Sequence, residues 1–144
     1  MANNDTINLL KECDSGTKMA VSSIDEILEQ VQNREMIQLL SENKKQHETI
    51  GNELHGMLLA SGSEEKDPTP MAKGMSWIKT NFKMNMDNSD ATIADLITDG
   101  CDMGIKSLRR YLNQYAAATD ESKDMCHNII LLEEHLRKEL QAYL

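Results

Sequence analysis

The chain has 144 residues, a formal net charge of −9 and a pI near 4.8. That length suits one domain with a full hydrophobic core. The acidity disfavours nonspecific binding to nucleic acid or anionic membranes, whose phosphates would repel it. No apolar run reaches the roughly 18 residues that a bilayer span needs, so no membrane partner is expected. The opening Met-Ala-Asn-Asn-Asp lacks the basic and apolar regions of an export signal, which points to the cytoplasm. Cys13, Cys101 and Cys126 are odd in number, with no Cys-x-x-Cys, so reduced thiols are expected in place of a disulfide framework or zinc knuckle.

Aromatic residues make up 3% of the chain while there are 10 Met, a balance that suits helix-on-helix packing and argues against a β-sandwich or a nucleotide-binding sheet. The first helix is predicted over about 5–32, opened by Asn4 or Asp5, with Leu10, Thr17, Val21, Ile24, Leu28 and Val31 on its buried stripe. A break at Asn33, a residue that tolerates the left-handed conformation closing a helix, leads to a second helix over about 34–61. Its stripe is Met36, Leu39, Asn43, Ile50, Leu54 and Met57, and it stops at Ser61-Gly62. One continuous helix over both segments is the alternative, but at 1.5 Å per residue it would reach about 85 Å, too long for a compact domain.

Residues 62–70 read as a polar linker, and Asp67-Pro68 or Thr69-Pro70 opens a short helix over about 70–85. Met71, Met75, Ile78 and Phe82 form its apolar face, and Lys73, Lys79 and Lys83 make it the one basic stretch, suited to acidic helix surfaces. The third helix, about 90–117, is capped by Ser89 or Asp90 and buries Ala94, Ile97, Cys101, Ile105, Leu108, Leu112 and Tyr115. Thr119 caps the fourth, about 120–143, which buries Met125, Ile129, Leu132, Leu136, Leu140 and Tyr143. Tight joints make helices one and two, and three and four, antiparallel neighbours. The long link between two and three predicts an up-down-down-up four-helix bundle with a lengthwise crossover, the ferritin-like arrangement.

Several motifs resemble an uncharacterised bacterial group of ferritin-like domains. They are Leu9-Leu10-x3-Asp14-x-Gly16, His47 followed by Glu53-Leu54, Gly74-x2-Trp77, and the register from Gly100 to Tyr111, spanning about residues 5–141. The resemblance implies the fold, and by analogy a role in stress or sporulation physiology. It also implies an acidic ligand near Asp102 on helix three. The wider superfamily includes di-iron and di-manganese proteins, whose site needs a Glu from each of two helices and a Glu-x-x-His pair from each of the others. Here Lys44, Asn52, Asp124 and Leu132 stand three residues before His47, His55, His127 and His135, so the chain departs from that pattern. Asp124-x-x-His127 has the spacing, but His127 falls opposite the buried face.

Two polar residues sit oddly: Asn43 within the buried stripe and His47 at its edge. They either fix helix register as satisfied core groups or retain a ligand contact. If Asp14 and Glu133 turn inward, His47, Asp14 and Glu133 come together from three helices as a metal or small-ligand site. Iron, manganese or zinc would be the metals. His47 is expected level with Met19, roughly 7 Å along the axis from Asp14, a stretch for one metal but feasible around a small ligand. Asp95, Asp99 and Asp102 share a face opposite Ile97, Cys101 and Leu108 and are expected to be solvated or to meet the Lys-bearing helix. No His or Lys is placed to activate a buried Cys. Gly16, Gly100 and Gly104 each cost about 1 kcal/mol in a helix, for close helix approach or for room around Trp77 or a ligand. The leading expectation is a non-catalytic structural or interaction bundle without cofactor, acting as a homodimer. The alternative is a degenerate metal- or ligand-binding bundle.

Overall fold

A computed structural model describes residues 3–63 and 87–144, so the short helix predicted over 70–85 lies outside the described residues. The rest is all α-helical: α1 (Asn4–Leu28), α2 (Arg34–Ala60), α3 (Asp90–Gln114) and α4 (Asp120–Leu140), with a closing 3-10 turn at Gln141–Tyr143. Each start has a side-chain cap that satisfies an otherwise free N–H group. Asn3, Asn33, Ser89 and Thr119 accept from the N–H of Thr6, Met36, Thr92 and Ser122 respectively.

Two expectations at these joints change. The cap of α1 is Asn3, because Asp5 is drawn across the bundle to accept from the Ala117 N–H at 2.9 Å. The break at Asn33 is present, but Asn33 is extended (φ −70°, ψ 125°) and opens α2 in place of closing α1 in a left-handed turn. Asp90 then locks the turn, accepting from the Gln32 and Asn33 N–H groups at 2.8 and 2.9 Å. Gly62 does take the positive φ (73°) that ends α2.

The same bonds set the helix directions. The start of α1 meets the end of α3 and the start of α4: Asn3 Nδ2 donates to the Ala117 carbonyl, and the Thr119 N–H donates to Thr6 Oγ1. The end of α1 meets the start of α3 through Asp90. So α1 runs antiparallel to α2 and α3 and parallel to α4, with α2 packed on α4 along the other side. No described helix is long and apolar enough to cross a membrane.

The core comes in two apolar blocks. One gathers Ile24, Ile27, Val31, Met36, Leu40, Ile93, Ile97, Leu136 and Leu140. The other gathers Leu9, Leu10, Cys13, Leu54, Leu58, Leu108, Cys126, Ile129 and Ile130. Between them lies a polar waist of Asp14, Thr17, Asn43, His47 and Glu133, all buried. Helix α2 lies close against α1 there, and a Cβ on Gly51 would sit 3.4 Å from Thr17 Oγ1.

Candidate ligand cavity at the polar waist

His47 was expected at the edge of the α2 stripe, yet it is fully buried. On α2 the waist spans one helical turn, Asn43–His47, and the His47 ring is engaged at both nitrogens. Its Nδ1 lies 3.0 Å from the Asn43 carbonyl, and its Nε2 lies 2.9 Å from Glu133 Oε1. A carbonyl only accepts, so Nδ1 carries a hydrogen. Nε2 and Oε1 then share one further proton, donated either by an imidazolium or by a carboxylic acid. Either way the buried pair is neutral as a unit, which is what makes its burial tolerable.

Glu133 is oriented from a second side as well. The Cys101 thiol hydrogen-bonds to it, and burial, followed by the nearby carboxylate, pushes Cys101 well above the ordinary thiol range. Asn43 reaches α4 through Nδ2, which donates to the Leu132 carbonyl at 3.3 Å. Its Oδ1 is buried with no hydrogen-bond partner among the described residues, and so is Ser15 Oγ on α1.

Asn43, Ser15 and Glu133 all line one partly open cavity of about 610 Å³ between α1 and α3. Volumes of 300–1,000 Å³ are usual for small-molecule sites. Ile24, Ile97, Leu108, Ile129 and Leu136 make it greasy, and Gly16, Ala20, Gly100 and Gly104 make it wide. Among the described residues, a Cβ built on Gly16 would touch nothing within 4 Å, and one on Gly104 would meet only Glu133 at 3.8 Å. Those two glycines therefore leave room. The close helix approach also considered for them occurs elsewhere, at Gly51.

Of the three expected site residues, the structure unites two. His47 and Glu133 bond directly, while Asp14 faces another way, paired with Lys18 at 2.9 Å. Asp14 and His47 both line a second, more polar cavity of about 550 Å³ between α1 and α2, with Thr17, Glu48 and His55. The hairpin register explains the separation. Gly51 opposes Thr17 and Lys44 opposes Asp25, so His47 is level with about Val21 and roughly 10 Å along the axis from Asp14. Among the described residues no group of three or more His, Cys, Asp or Glu side chains is disposed to hold a metal ion.

The other singled-out groups sit on the surface or are inert. Asp95, Asp99 and Asp102 are exposed, and Asp102 accepts from Arg137 at 2.9 Å. His127 is exposed. Cys13 is held far above the ordinary thiol range by its hydrogen bond to Cys126 and by burial. Ser15, Met103 and Ser107 are wall residues that the sequence reading did not single out. Comparison with protein-family models, curated proteins and solved structures finds no match for this chain.

Proposed function

We propose that this protein is a small-molecule-binding four-helix bundle of the ferritin-like, up-down-down-up type, and that its ligand sits in the α1/α3 cavity. The helix directions support the topology, since the end of α2 and the start of α3 lie at opposite ends of the bundle. The observation that carries the binding reading is the cavity wall itself. Asn43 is 2% exposed, with an Oδ1 that no described group satisfies, at the edge of a space that two helical glycines keep open. An unsatisfied buried acceptor costs about 1–3 kcal/mol and a mid-helix glycine about 1 kcal/mol. A bound molecule carrying a hydrogen-bond donor answers both.

The cavity reading is tested with N-phenyl-1-naphthylamine, a neutral apolar fluorophore with one N–H donor. Saturable, blue-shifted emission is expected from the unmodified protein. Gly16→Leu places an isobutyl group in space that no described residue occupies and is expected to remove that signal without lowering the melting temperature. An absent signal, or an equal one from Gly16→Leu, overturns the proposal.

A further inference from the structure

We infer that the ligand of this cavity is an organic cation, an alkyl- or arylammonium whose apolar body fills the space between α1 and α3 and whose N–H groups meet Glu133 and Asn43. This rests on the cavity being a binding site and adds the chemistry of the head group. Among the described residues, the wall holds two carboxylates, Glu12 and Glu133, and no lysine, arginine or histidine. An anionic head would enter without a partner, at the full cost of a buried unpaired charge.

Glu133 has accepting capacity to spare. Its oxygens offer about four acceptor positions. His47 takes one from behind and Cys101 takes a weak one. The remaining lone pairs belong to a group that lines the cavity and is 8% exposed. Asn43 Oδ1 adds a further unpartnered acceptor on the lining of the same cavity, while one of its amide hydrogens goes to the Leu132 carbonyl. Ser15, Ser23 and Ser107 add hydroxyls that donate or accept, so the fixed charge among the described wall residues is negative only, and an ammonium meets it with several N–H groups at once. Its charge also answers the half-buried Glu12, which the neutral His47–Glu133 pair leaves uncompensated; Glu12 accepts from the Tyr111 hydroxyl.

Three probes with one eight-carbon body separate the possibilities: octylammonium, octan-1-ol and octanoate. Each is titrated at pH 7 against the protein loaded with N-phenyl-1-naphthylamine. A charge-assisted hydrogen bond gives roughly a tenfold preference or more over a neutral one. Octylammonium is therefore expected to displace the fluorophore at about one tenth the concentration of octan-1-ol, with octanoate weakest. Glu133→Gln keeps the shape and is expected to bind the fluorophore while ranking octylammonium and octan-1-ol together. Equal displacement by the two in the unmodified protein overturns the head-group inference but leaves the cavity reading standing. So does a preference that survives Glu133→Gln, or no displacement by any of the three. A protein that never takes up the fluorophore overturns the cavity reading and this inference with it.

Discussion

The His47–Glu133 pair offers the sharpest quantitative test of the polar waist. In His47→Leu the imidazole is replaced by an apolar group of similar reach. Glu133 loses the partner at 2.9 Å, while its side chain stays only 10% exposed. Breaking one half of a buried pair costs about 3–5 kcal/mol, because the remaining charge is left uncompensated. The adjoining cavity admits water to Glu133, so the lower end, about 3 kcal/mol, applies. For a domain of this size each kcal/mol moves the melting temperature by about 2–4 °C, so a drop of roughly 6–12 °C is expected. Replacing both partners removes the orphaned charge, and such exchanges are often neutral or stabilising by about 1–4 kcal/mol. His47→Leu/Glu133→Met should therefore recover most or all of the loss. Thermal melts and urea unfolding of the four proteins of the cycle measure the coupling directly. If His47→Leu alone melts no lower than the parent, the pair contributes no coupling and the account of the waist is wrong.

Gly16→Ala should raise stability by up to about 1 kcal/mol in urea unfolding, since the added methyl meets no described residue within 4 Å and helix propensity decides the sign. Asp90→Ala should cost about 1–2 kcal/mol, because Asp90 accepts from both Gln32 and Asn33 at the start of α2. Asp99 is raised above its ordinary value by desolvation and by Asp95 and Asp102. The folded state thus binds its proton more tightly than the unfolded chain, and its contribution is lost as pH rises through the folded value. Asp99→Asn should accordingly stabilise by a few tenths of a kcal/mol at pH 7, as expected for like charges one helical turn apart, and the gain should vanish below about pH 4 or in high salt. Cys13 and Cys101, buried and held high, should resist iodoacetamide at pH 8 until the protein is unfolded, as counted by mass spectrometry.

Much of the bundle was legible because helix period and capping chemistry act over a few residues. Asn33, Ser89, Thr119 and Gly62 mark the joints in the chain and occupy them in the structure. The burial of Leu10, Ile24, Leu54, Ile97 and Ile129 follows from the 3.6-residue period. What the sequence hides is rotation and register between helices. Leu9 and Leu10 are both buried, as are Ile129 and Ile130, because a helix in a four-fold core contacts neighbours on more than one side. That broader face also takes in His47, which a single stripe places at the edge. A shift of about two residues in the α1/α2 hairpin then parts Asp14 from His47 and Glu133. Sequence spacing on one helix cannot fix such a shift between two.

The cavity was the least legible feature, because a void is defined by what four helices fail to fill. Its only local traces are glycine and serine where leucine would pack better, and an asparagine on an apolar stripe. Each is a weak sign alone, since helices tolerate glycine and cores tolerate satisfied polar groups. Their convergence on one wall changes the weight. Gly16, Ser15, Gly104, Asn43 and Glu133 come from four different helices, yet they border a single space. Stability is given up at each of them, and a bound molecule would return it. A ligand at 100 times its Kd adds about 2.7 kcal/mol, comparable to what the unsatisfied acceptor and the glycines withhold. Under the proposed function, the waist is an incomplete core whose missing part a ligand supplies.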